Sequence, residues 1–232
     1  PPKRVFASGW WTTEGQKISK SLGNAIDPVA VAAEFGLDPL RYFLLREVPF
    51  GNDGDFQRRA LIGRLNADLA NAYGNLCQRV LSIVAKSCEG KVPLKGTLVS
   101  ADVALLDRAK GLLAVVRADF EEQAFHRVLT AIWEVIGDAN RYVDAQAPWA
   151  LAKTDTVRRD TVLWVLAETI RRVTLLVQPF MPDSAGKILD QLAVPADART
   201  FAAFDTELAS GTTLPKPQGV FPRFVEPAAV AN

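Results

Sequence analysis

Eight consecutive residues, Lys17-Ile18-Ser19-Lys20-Ser21-Leu22-Gly23-Asn24, gather two ammonium groups, two hydroxyls and a glycine. That inventory suits a polyphosphate, because lysines on a bendable loop can move to meet negative charge. If a nucleophile attacks the α-phosphate of ATP, charge grows toward the departing pyrophosphate, and a lysine brought to it lowers the barrier. The spacing is not that of a P-loop, which needs Gly-x-x-x-x-Gly-Lys-Ser/Thr. By residue type alone, a solvated loop with scattered lysines accounts for the string equally well.

A second constellation lies further along. Asn75 and Arg79 are four apart, so on a helix they share a face, beside a polar stripe of Asp68, Asn71 and Gln78. An amide and a guanidinium so placed could read the edges of unpaired bases, a task that also calls for an aromatic ring on which a base can stack. Trp149, just after Pro148, is placed to project from a turn and serve as that platform. Taken singly, Asn75 and Arg79 also fit a solvated helix face, and Trp149 also fits a core position. His126, the one histidine, has no metal partner or nucleophile near it in sequence and reads as structural. Trp133 and Trp164 fall on or beside apolar stripes and read as core, and Cys77 as a small packing residue.

The rest of the composition sets bounds. The chain has 232 residues and is 49% hydrophobic, enough for one good core or a small domain joined to a larger one. Its net charge is only +1, so any contact with nucleic acid must come from local placement of charge. Cys77 and Cys88 have no second pair, which fits neither a zinc site nor a disulfide framework and suggests a reducing compartment. No run of apolar residues is long enough to span a membrane, and Pro1-Pro2-Lys3-Arg4 has no signal-peptide core, so the expected location is the cytoplasm. The absence of an initial Met suggests a cut point inside a longer polypeptide.

The elements that must carry these residues follow from periodicity. Arg4 to Thr13, with Glu14-Gly15 after it, suggests a short hairpin leading into a loop over about residues 16–24. Asp27-Pro28 and Asp38-Pro39 each predict an N-cap carboxylate before a first-turn proline, giving two short helices that stop at Gly36 and before Pro49. Leu61, Leu65, Leu69, Leu76 and Val80 predict a long helix from about Phe56 to Ser87. A second amphipathic stretch carries Leu105, Ala109, Leu112, Leu113 and Val116. A third is expected to start near Asp119, with Asp119 and Glu122 as a capping box, and to end at Pro148. A fourth runs from about Thr156 to Pro179, and a short fifth holds Ile188, Leu189 and Leu192. None can bury its stripe alone, so an antiparallel bundle is expected, with the proline-rich tail from Thr212 as a strap over its surface.

Two sets of residues carry a family resemblance. The lysine loop with its flanks, Gly9-Trp10-Trp11-Thr12-Thr13-Glu14-Gly15-Gln16 before and Asn24 through Asp27-Pro28 after, resembles the KMSKS loop of class I aminoacyl-tRNA synthetases. The stretch from Leu37 to Phe56, including Arg46-Glu47-Val48-Pro49-Phe50, looks like the methionyl-tRNA synthetase family, as do Asn75-Leu76-x-x-Arg79 and the segment from Asn140 to Trp149. The resemblance implies a mainly α fold: an antiparallel helix bundle that binds the anticodon, at residues 56–232, preceded at residues 1–55 by the end of an α/β Rossmann-type catalytic domain.

It implies that Lys17 and Lys20 are catalytic. Together with Ser19 and Ser21 they would bind ATP, accompanied by Mg2+, while Asn75 and Arg79 contact the CAU anticodon and Trp149 stacks on one of its bases. The implied partners are methionine and tRNA(Met), initiator tRNA included. The HIGH-type histidines, the methionine pocket and any zinc-bearing insertion would lie upstream, so this portion alone is expected to be inactive. Ile18 stands where the family more often has Met, a volume-conserving swap, and Ser8 where it usually has His. The tail around Leu214-Pro215-x-Pro217 resembles the family's closing segment and suggests a monomer. Rival readings are a cysteinyl, leucyl or isoleucyl synthetase, against which the Arg46–Phe50 stretch counts. Another is a non-catalytic tRNA-binding or scaffold module, which would have no use for the lysine loop.

Overall fold

A computed structural model describes residues 1–19, 21 and 23–226. Its first part is a small sheet of order β2-β1-β3. Strands β1 (Trp11–Thr13) and β2 (Gln16–Lys17) form the expected hairpin, although the first strand does not extend back to Arg4 and the second takes the first two residues of the anticipated loop. Glu14 and Gly15 both have positive φ, 48° and 75°, the turn that matches strand twist. Strand β3 (Gly54–Phe56) runs parallel to β1, pairing Trp11 with Gly54 and Thr13 with Phe56. A Cβ on Gly54 would sit 2.7 Å from Val48 Cγ2 and 3.1 Å from the Trp11 ring, so only glycine admits this pairing.

Helices α1 (Pro28–Phe35) and α2 (Leu37–Glu47) separate the hairpin from β3. Asp27 caps α1 as expected, its Oδ1 accepting from the Val29 N–H at 2.9 Å, and Gly36 ends it at φ 92°. Asp38 does not cap α2, which already begins at Leu37. Its carboxylate is buried and accepts instead from the Ser184 N–H at 2.6 Å, satisfying the first turn of a distant helix.

The long helix predicted to reach Ser87 is continuous but built in three registers: α3 (Arg58–Arg64), a π-helical stretch (Leu65–Gly74) and α4 (Asn75–Ser87). Then come α5 (Ser100–Glu121), α6 (Phe125–Gln146), α7 (Pro148–Thr154), α8 (Thr156–Val177) and α9 (Pro182–Gln191). The expected start near Asp119 is wrong, since Asp119 and Glu122 close α5 rather than cap α6. Both carboxylates serve the C-terminal side of the turn by holding Arg127. Nor does Pro148 end the helical path, because it opens α7.

The core sits around α8, which is buried on every side from Thr161 to Val177 and packs against α4, α5, α6, α7 and α9. The strap lies where the tail was expected. Phe221 packs on Tyr73 at 5.7 Å between centroids and Phe224 on Phe35 at 4.7 Å. Asn66 pins the strap by donating to the Phe224 carbonyl and accepting from its N–H.

Candidate functional site

The lysine loop leaves the sheet at Lys17, whose side chain is exposed. Asn24 clasps its two ends: Nδ2 donates to the Lys17 carbonyl at 3.0 Å and Oδ1 accepts from the Ser19 N–H at 2.8 Å. Ser19 and Ser21 hydroxyls meet at 2.7 Å. Both serines thus support one loop, with Lys17 at its root. Lys20, the other expected catalytic residue, lies outside the described residues, as does Leu22. The base of the hairpin is fixed by Asp55, which accepts from the Thr12 hydroxyl at 2.7 Å, the Gln57 amide at 2.8 Å and the Gly15 N–H at 2.9 Å. Those hydrogen bonds, the Thr12 one foremost, hold its carboxyl below the ordinary aspartate value. Asn24 and Asp55 carry no individual role in the sequence reading. The signal for Asn24 was its type, since asparagine commonly bonds the backbone of its own turn.

The second constellation assembles at the C-terminal end of α6. Arg79 on α4 reaches Asp144 on α6 at 2.7 Å, and its guanidinium carbon lies 6.0 Å from the centroid of the Trp149 ring. Trp149 is 47% exposed, so it is not a core residue. It projects from the first turn of α7, after Ala147 takes the left-handed conformation at φ 43° and turns the chain out of α6. Asn75 is exposed one turn before Arg79 on the same helix. The fold therefore brings Arg79 and Trp149 together and presents Asn75 on the α4 face that carries Arg79. The Nε of Arg79 is buried without a hydrogen-bond partner among the described residues, so the fork is not saturated by the protein.

Three supports for this corner escaped the sequence reading. The first is the π-helical stretch, whose displaced carbonyls are met from α6: Asn140 Nδ2 donates to the Ala72 carbonyl at 3.1 Å and Trp133 Nε1 to that of Asp68 at 3.2 Å. Asn140 is thereby a structural member of the segment that carried the resemblance. The second is Gly74, where a Cβ would press on the Leu69 carbonyl at 2.9 Å and on Phe221 of the strap at 3.2 Å.

The third is a buried ionic clasp around Asp102 of α5. Arg158 of α8 donates to it twice, at 2.6 and 2.7 Å, and Tyr142 of α6 at 2.6 Å, while Arg158 also holds Gln146, the last residue of α6, at 2.7 Å. Burial pushes the Asp102 carboxyl up, but hydrogen bonds from Arg158, Tyr142 and the Val99 N–H outweigh it, and the pKa ends below its usual value. The clasp ties the end of α6 to the start of α8, the two helices that α7 and Trp149 join.

Chemically, the arrangement offers an exposed lysine and two paired hydroxyls on the loop after β2, and a planar cation beside an open indole at the corner of α4, α6 and α7. Residues 1–81 match the family model described as "tRNA synthetases class I (M)", and residues 92–229 the one for the anticodon binding domain of methionyl tRNA ligase. Methionine–tRNA ligase of Brucella suis biovar 1 (strain 1330) is 56% identical over 226 residues, 97% of this chain and 44% of that protein. The enzyme of Mycobacterium tuberculosis (strain ATCC 25618 / H37Rv) is 52% identical over 230 residues, again 97% and 44%. The solved Mycobacterium tuberculosis methionyl-tRNA synthetase in complex with methionyl-adenylate superposes with a TM-score of 0.93 at 52% identity, over 96% of this chain and 44% of that one. Its apo form superposes with a TM-score of 0.91 at 49% identity, over 97% and 45%. The chain thus spans less than half the length of the relatives it matches, and it belongs to the methionyl-tRNA synthetase family.

Proposed function

We propose that the protein to which this chain belongs is a methionine–tRNA ligase. It would activate methionine with ATP and transfer it to tRNA(Met), initiator tRNA included, with this portion supplying the phosphate loop and recognition of the CAU anticodon. In the activation step the methionine carboxylate attacks the α-phosphate and pyrophosphate leaves. Lys17 and Lys20 meet the charge on the departing pyrophosphate, and Ser19 and Ser21 hold the loop that carries them. Mg2+ would arrive with the nucleotide on its phosphate oxygens. Among the described residues no three His, Cys, Asp or Glu side chains come together to hold an ion.

The division that serves this reading puts the end of the catalytic domain at 1–55 and the helical domain at 56–232. A cytoplasmic, monomeric enzyme completes this reading: the thiols of Cys77 and Cys88 are free, as a reducing compartment keeps them, and the tail around Leu214-Pro215-x-Pro217 resembles the family's closing segment.

The observation that carries the reading is the pairing of an unsaturated Arg79 fork with a half-exposed Trp149 ring. An unpaired base can stack on the indole while its edge meets Arg79 and Asn75. Stacking contributes about 1–3 kcal/mol per base, so Trp149→Ala in the full-length enzyme should raise the KM for tRNA roughly 5- to 150-fold. Methionine-dependent pyrophosphate exchange, which needs no tRNA, should stay near wild type. Equal loss of both activities in a folded variant would remove the platform role.

A further inference from the structure

α6 connects the segment leading to β3 with the base-reading corner. Its first residue, Phe125, meets Phe50 of the segment leading to β3 at 6.2 Å, and its last turn leads into Trp149. At 22 residues it is roughly 33 Å long. Thr130, Trp133, Glu134, Gly137, Asp138 and Arg141 on one face of α6 line an open groove of about 460 Å3, closed on its flanks by Arg46 of α2 and Arg108 of α5. The same face continues from Gly137 and Arg141 to Asp144, which holds Arg79, so the groove and the base-reading corner lie on one track.

Three guanidiniums face two carboxylates there. Arg108 pairs with Glu134 and Asp138, and Arg141 pairs with Asp138. The Nε of Arg46 is buried without a hydrogen-bond partner among the described residues. Each paired guanidinium still has donors to spare, because it carries five N–H bonds. The excess of positive charge and the unsatisfied donor call for an anion, and three guanidiniums drawn from α2, α5 and α6 can meet more than one phosphate.

Resting on the tRNA-ligase reading, we propose that Arg46, Arg108 and Arg141 form a phosphate track for the backbone of the RNA stem that adjoins the bases read at Trp149. Arg141 is six residues, roughly 9 Å along α6, before Ala147, where the chain turns toward Trp149, so the track leads away from the corner that would read the bases. Its role is orientation: it sets how the RNA leaves the anticodon corner toward the catalytic end.

The test uses the full-length enzyme and an unmodified transcript with a CAU anticodon. Arg46→Gln and Arg141→Gln should each raise the tRNA KM about fivefold at low salt and make the log–log salt dependence of binding shallower by about one unit. Arg117→Gln on the exposed side of α5 should do neither, and Arg46→Lys and Arg141→Lys should keep most of the salt slope. Arg141 is 74% exposed, so its variant tests the track even if Arg46→Gln fails to fold. A stemless CAU oligonucleotide should depend on Trp149 and not on the arginines. Wild-type affinity and slope in the arginine variants, with Trp149→Ala still impaired, would overturn the track and leave the ligase reading standing. Wild-type behaviour of all of them would sink both.

Discussion

Replacing Asp102 with Ala removes the anion around which α5, α6 and α8 close. The carboxylate is fully buried and takes two bonds from Arg158, one from the Tyr142 hydroxyl and one from the Val99 N–H at 3.0 Å. Breaking a buried ion pair from one side costs about 3–5 kcal/mol, because the partner charge stays behind. Arg158 keeps Gln146 and is 18% exposed, which argues for the lower end, about 3 kcal/mol. For a unit of this size each kcal/mol shifts Tm by about 2–4 °C, so thermal unfolding of the full-length protein should show the helical transition lowered by about 6–12 °C.

The pH dependence supplies an independent check on the same residue. Its folded pKa lies below the unfolded one, so its contribution is complete above the unfolded aspartate value and drains away as pH falls through the depressed folded value. Asp102→Asn should therefore lose least stability relative to wild type at the acid end. A loss under about 1 kcal/mol at neutral pH, typical of an exposed pair, would refute the assignment of this clasp as the support of the corner.

Other perturbations separate the parts. Glu168→Ala strands both Arg171 and Arg172, which reach its carboxylate at 2.6 and 2.7 Å inside the core. We expect a loss beyond about 3 kcal/mol, read by urea denaturation, and a smaller one when all three are replaced together by apolar residues. Asn24→Ala opens the clasp of the lysine loop, and two lost hydrogen bonds of about 1 kcal/mol each should slow pyrophosphate exchange roughly tenfold or more while leaving tRNA affinity unchanged. Lys20→Ala should slow the same exchange by several kcal/mol of barrier, about 3 if it acts like one donor to a developing charge, with methionine binding little altered. Exchange at the wild-type rate in that variant would remove Lys20 from the chemistry.

The helices that bury one stripe were legible because burial imposes a period, and periods survive in sequence. α6 and α9 show this, as do the stops at Gly36 and before Pro49, where backbone geometry dictates residue type. What failed was pattern whose partner is remote. Asp38-Pro39 has the form of a local cap, yet its carboxylate serves Ser184. Strand β3, an edge strand paired with β1, has only three residues, too few to alternate visibly. In α8, Glu168, Arg171 and Arg172 interrupt the apolar pattern as a polar face would, and the later segment around Phe204 and Leu208 covers them, so no local rule foretells their burial.

The π-helical stretch shows where a signal existed and went unread. Leu61, Leu65, Leu69 and Tyr73 are all buried and all four apart. In an α-helix of 3.6 residues per turn, each such step drifts by about 40°, so three steps carry the stripe about 120° around the axis and out of the core. Keeping all four inward requires a wider helix, and Leu65–Gly74 supplies it. The wider turns end at Asn75, so the register that buries Tyr73 also sets the direction in which Asn75 and Arg79 face. Residue types could nominate those two for reading bases, but the face they share, from which Arg79 meets Trp149, is set by the ten-residue π-helical stretch just before them and by Asn140 on a neighbouring helix.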